Sequence, residues 1–76
     1  MSAVTIERLS SALVAYAQPG KLPRDLLQSL QRDYPDATMK EVARAAYLAV
    51  LEVSDDDPER ARALHDLATR ARMSEN

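Results

Sequence analysis

There is no cysteine in these 76 residues, no tryptophan and no phenylalanine, and there is a single glycine. Without cysteine there is neither a disulfide scaffold nor a thiolate metal site. Lack of cysteine also fits a reducing compartment, and the expected location is the cytoplasm. With one glycine there is no glycine-rich loop to cradle a phosphate. The first residues, Met1-Ser2-Ala3-Val4-Thr5-Ile6-Glu7-Arg8, lack the basic and long apolar regions of a signal peptide, so none is expected. No apolar run approaches the ~20 residues that span a bilayer, and no membrane partner is expected. Ten basic residues against twelve acidic ones leave a net charge of −2, which provides no overall attraction to nucleic acid.

What remains is rich in alanine, leucine, arginine and glutamate, all strong helix formers, with few β-branched residues. The expected class is all-α. At this length one helical domain fills the chain, and such a domain buries only about 60% of its unfolded surface. Association with a second copy would therefore help it. The excess of arginine over lysine hints at a bacterial source.

Four amphipathic segments and their punctuation predict helices at about 4–17, 23–34, 38–53 and 58–73. In the first, Ile6, Leu9, Leu13 and Tyr16 share a stripe. Ser2 or Thr5 is the expected N-cap, with Gly20 as the C-terminal cap after Pro19. The second opens on Pro23, suited to a first helical position, and buries Leu26, Leu27, Leu30 and Tyr34. Pro35 ends it. The third opens with the capping-box pattern Thr38-Met39-Lys40-Glu41. The fourth follows Asp57 as N-cap and Pro58, and buries Ala61, Leu64, Leu67, Ala68 and Ala71. Met73 should fray, with Ser74-Glu75-Asn76 as a tail.

The third segment stands apart. Met39, Val42, Ala43, Ala46, Ala49, Val50 and Val53 make one broad apolar face. Tyr47 and Leu51 flank it, and Leu48 falls opposite, beside Arg44 and Glu41. An ordinary surface helix has one apolar stripe. The pattern predicts a compact four-helix bundle with this third helix largely buried. It also raises two alternatives for Tyr47, Leu48 and Leu51. Either the fourth helix covers them, or they form a partner or self-association surface with Arg44 at its edge.

Other constellations have plainer readings. His65 is the only histidine and has no second ligand at metal spacing, so a solvated position is expected. Asp55, Asp57, Glu59 and Asp66 fall at calcium-loop positions, but Pro58 starts a helix inside that loop and Arg60 replaces its glycine. The cluster reads as an acidic helix start. Arg60, Arg62, His65, Arg70 and Arg72 make the fourth helix locally basic, with Asp66 spaced to pair with Arg62 and Arg70. Tyr16 and Tyr34 read as core-edge residues with their hydroxyls in water.

The stretch Thr38 to Ala46 resembles the first helix of a bacterial helix-turn-helix. Tyr47-Leu48-Ala49-Val50-Leu51 continues the helix where that motif would turn. Lys40 and Arg44, with Arg62 and Arg72, would be the nucleic-acid contacts on that reading.

No nucleophile, cofactor loop or convergent polar cluster points to an enzyme, and no cofactor or metal is expected. The leading expectation is a small non-catalytic cytoplasmic protein acting through protein–protein contact, as a homodimer, by way of Tyr47, Leu48, Leu51 and Arg44. A small DNA-binding regulator is the first alternative. An inhibitor of a larger enzyme or effector complex is the second.

Overall fold

A computed structural model describes residues 3–74. The helices are α1 (Ala3–Tyr16), α2 (Pro23–Asp33), α3 (Met39–Val53) and α4 (Pro58–Ser74), and no strand occurs among the described residues. The radius of gyration is 10.9 Å. A compact chain of this length should have one of about 11 Å. α3 packs chiefly against α4 and α1, while α2 bridges α1 and α4.

Local chemistry sets the boundaries. Thr38 Oγ1 accepts from the Glu41 amide at 3.1 Å, and the Glu41 carboxylate accepts from the Thr38 amide at 2.7 Å. The predicted capping box therefore forms and satisfies two amides at the start of α3. At α2 only the return half exists, because the capping position is Leu22. Its amide donates to Asp25 Oδ2 at 3.1 Å. Asp57 caps α4 by accepting from the Arg60 amide at 3.1 Å. Of the two caps expected for α1, Ser2 lies outside the described residues and Thr5 is inside the helix. Ser74 still belongs to α4, so the expected tail loses its first residue to the helix, and its last two residues lie outside the described part.

Gly20 does not cap α1. The helix ends at Tyr16, and Gln18-Pro19-Gly20-Lys21 forms a separate turn closed by the Lys21 amide on the Gln18 carbonyl at 3.1 Å. Gly20 has φ +88°, the third position of a type II turn with proline before it.

The core consists of leucines from α1, α2 and α4 set around small residues. Leu9, Leu13, Leu26, Leu30, Leu64 and Leu67 are fully enclosed. In α3 the buried residues are Val42, Ala43, Ala45, Ala46, Ala49 and Val53. Met39 and Val50, expected on that face, are half-buried at its margin, while Ala45 joins it. In α1 the buried row is Leu9, Ser10 and Leu13, continued by Ala17 just past the helix end, one step round from the predicted stripe, so Ile6 and Tyr16 sit at its edge. Leu27, Tyr34 and Ala61 are likewise marginal rather than central.

Two side-chain bonds tie the helices at their ends. Arg60, expected on a solvated basic flank, turns inward instead. Its Nε donates to the Ala17 carbonyl at 2.9 Å and pairs with Asp57 at 3.5 Å. It thus satisfies a carbonyl at the end of α1, which has no helical partner of its own. Tyr16 does not leave its hydroxyl in water. It donates to Asp33 Oδ2 at the end of α2. Burial, then this bond, pushes the Tyr16 hydroxyl up to about 12. The Tyr16 hydroxyl, and secondarily Arg32, holds the Asp33 carboxyl below its ordinary value.

Both shifts make stability depend on pH. The depressed Asp33 stabilises the fold above its unfolded-state value, and that contribution is lost as pH falls through its folded value. The raised Tyr16 stabilises the fold below pH 10, and its contribution is lost between 10 and about 12. A tyrosinate absorbance titration should show a step near 12 that disappears in Tyr16→Phe and moves down in Asp33→Asn. A Tyr16 step at the ordinary value would refute the bond. The Ser10 Oγ is buried with no hydrogen-bond partner among the described residues. Such a group costs about 1–3 kcal/mol. Ser10→Ala should therefore raise the free energy of urea unfolding by about 1 kcal/mol. A loss of that size would show that the hydroxyl is satisfied.

Candidate interaction surface

At ~100° per residue, the buried arc of α3 leaves one outer arc. That arc carries Lys40, Arg44, Tyr47 and Leu51, and all four are exposed. Leu51 is 75% exposed and Tyr47 36%. Leu48 lies at the edge of this arc, between Arg44 and Glu41, and is half-buried. It is not among the partly buried residues packed against the core. The centre of the exposed apolar surface of α3 is therefore Leu51 rather than Leu48, and Leu22 and Met73 are exposed elsewhere.

α4 reaches this surface from one side only. Four residues, 54–57, join it to α3, so the two helices pack as an antiparallel hairpin. The Tyr47 ring meets the His65 ring edge-on, with centroids 6.3 Å apart and planes at 79°. That contact shields one side of Tyr47 and leaves Leu51 open. α4 thus touches only part of this apolar group. It borders Tyr47 and does not cover Leu51.

The four proposed cations fall on this side of the hairpin. Lys40 precedes Tyr47 by two turns and Arg72 follows His65 by two turns, which places both at the open end of the hairpin. Arg44 lies on the crown of α3 and Arg62 on that of α4, and all four are exposed. Arg70 belongs to the other shoulder of α4, beside Leu22, Pro23 and Arg24 at the start of α2. The expected pairing of Asp66 with Arg62 and Arg70 does not form. The ion pairs among the described residues are Arg32–Asp33 and Arg60–Asp57. Exposed helix pairs are worth only a few tenths of a kcal/mol, too little to hold long side chains in place.

The opposite end of the hairpin is acidic. Asp55 and Asp56 are exposed in the connection, and Glu59 is exposed just beyond. The backbone keeps turning there: Ser54 is helical and the Asp57 amide donates to the Val53 carbonyl at 2.8 Å.

Concave surface elsewhere offers little chemistry. A depression of about 360 Å³ between α1, the 34–37 turn and α3 is lined in part by Asp33, Asp36 and Glu41. Asp33 is held by Tyr16 and Arg32, and Glu41 by the Thr38 amide. Those two carboxylates are committed to the fold, and Asp36 is exposed. No group of three histidine, aspartate or glutamate side chains is placed to hold a metal among the described residues. His65 is exposed beside Tyr47. No described helix is long and apolar enough to cross a membrane. No family model, curated protein or solved structure matches the chain.

Proposed function

We propose that this is a small non-catalytic protein that works through protein–protein contact, as a homodimer, using the outer arc of α3. The observation that carries this reading is Leu51. It is a large apolar side chain, 75% exposed, between Tyr47 and Leu48 on a helix whose other side is fixed in the core. Single exposed leucines are common. Here, however, an aromatic anchor, a half-buried leucine and the apolar stem of Arg44 adjoin it on rigid helix. The engagement of Asp33 and Glu41 in bonds that hold the fold supports a non-catalytic role. A cytoplasmic location and a bacterial source remain part of this reading.

A second reading has one observation in its favour. Lys40, Arg44, Arg62 and Arg72 share the side of the hairpin that holds the Tyr47–His65 pair, an arrangement suited to phosphates. The acidic tip of the same hairpin and the overall charge of −2 oppose it.

Sedimentation equilibrium over a range of concentrations tests the first reading. Wild type should dimerise, and Leu51→Glu should weaken the dimer by at least tenfold with its helical circular dichroism unchanged. A wild type that stays monomeric at the highest concentration would overturn the proposal.

A further inference from the structure

The outer face of the α3–α4 hairpin is polarised. Its open end carries Lys40, Arg44 and Arg72, and its tip carries Asp55 and Asp56, with Arg62 on α4 between them. Between these ends lie Tyr47, Leu48 and Leu51. Along α3 the pattern has a centre. Lys40 and Asp55 stand equally far on either side of the midpoint between Tyr47 and Leu48, and so do Arg44 and Leu51. Helical geometry continues through Ser54, so Asp55 stays in register with the outer arc. At ~100° per residue it falls close to Arg44 and Leu51 around the axis.

A two-fold axis at the level of that midpoint, lying in the interface plane and perpendicular to α3, lays one α3 antiparallel on another. It brings Lys40 against Asp55 twice, sets Arg44 over Leu51 twice, and packs Tyr47 against Leu48 twice. A two-fold interface must be self-complementary in this way. We propose that the partner of this surface is a second copy of this chain, docked antiparallel through α3. The Lys40 and Asp55 charges then fix its register at the rim. This inference rests on the homodimer reading above and specifies its geometry. A parallel arrangement would set lysine on lysine and aspartate on aspartate. A phosphate backbone running along the same face would meet Asp55 and Asp56 at the tip.

Charge reversal separates the outcomes. Lys40→Glu alone and Asp55→Lys alone each place like charges at both ends of the two-fold interface, and each should raise the dimer Kd by about tenfold at low salt. Both positions are exposed, and neither side chain caps a helix. In an equimolar mixture of the two variants every facing pair is again opposite in sign, so sedimentation should recover a dimer of near wild-type affinity. Raising the salt to 0.5 M should shrink these differences, since the Debye length drops below 5 Å. A wild-type dimer indifferent to both reversals, or variants that weaken but do not recover on mixing, would overturn the antiparallel register and leave the homodimer reading intact. A wild type that is monomeric throughout would overturn both. Monomers that bind duplex DNA at low salt would replace both with the nucleic-acid reading.

Discussion

The close approach of α3 to its neighbours is the constraint on which the rest of the structure depends. Ala45, Ala46 and Ala49 in α3 and Ala68 and Ala71 in α4 are fully buried, as is Ser10 in α1. Small side chains let helix backbones come near, and leucines on the other helices then fill the space around them. A chain this short has no material for a second layer. With α3 fixed on this side by alanines, none of the four described helices covers Leu51 on its opposite side. Exposure of Leu51 is a consequence of how tightly the inner side packs.

The helix ends hold that packing in register. Thr38 and Glu41 start α3 and Asp57 starts α4, each through backbone amides that would otherwise lack partners. Arg60 then spans from α4 to the carbonyl of Ala17, and Tyr16 spans from α1 to Asp33. These two bonds close the bundle at the ends of α1 and α2, where few large apolar contacts are available. A shift of α4 along α3 would break the first bond and move His65 off Tyr47.

Local punctuation was legible in the sequence because its chemistry is local. The capping box at Thr38, the Asp57 cap and the proline starts at Pro23 and Pro58 involve residues three or four apart. Periodicity also found the leucines of α2 and α4. It misplaced the inner row of α1 by one step, because Ser10 is polar and Ala17 lies past the helix end. Nothing in spacing marks a serine as buried. The long-range bonds of Tyr16 and Arg60 were not readable either. Their partners are 17 and 43 residues away, and a tyrosine or arginine on a helix flank looks solvated until the partner helix is placed. At the candidate surface, the sequence marked Tyr47, Leu48 and Leu51 as a group. Ranking Leu51 above Leu48 required knowing how much of each the packed helices cover, which spacing alone does not give.

An alanine-lined inner side of α3 leaves a polarised, partly apolar outer side. In the proposed antiparallel dimer, Tyr47 of one copy meets Leu48 and Leu51 of another. An isotope-filtered NOE spectrum, recorded on a mixture of labelled and unlabelled protein, observes that contact directly. Cross-peaks between the Tyr47 ring protons of one copy and the Leu48 and Leu51 methyl groups of the other are expected. A dimeric sample whose only intermolecular cross-peaks come from α1 or α2 would contradict it.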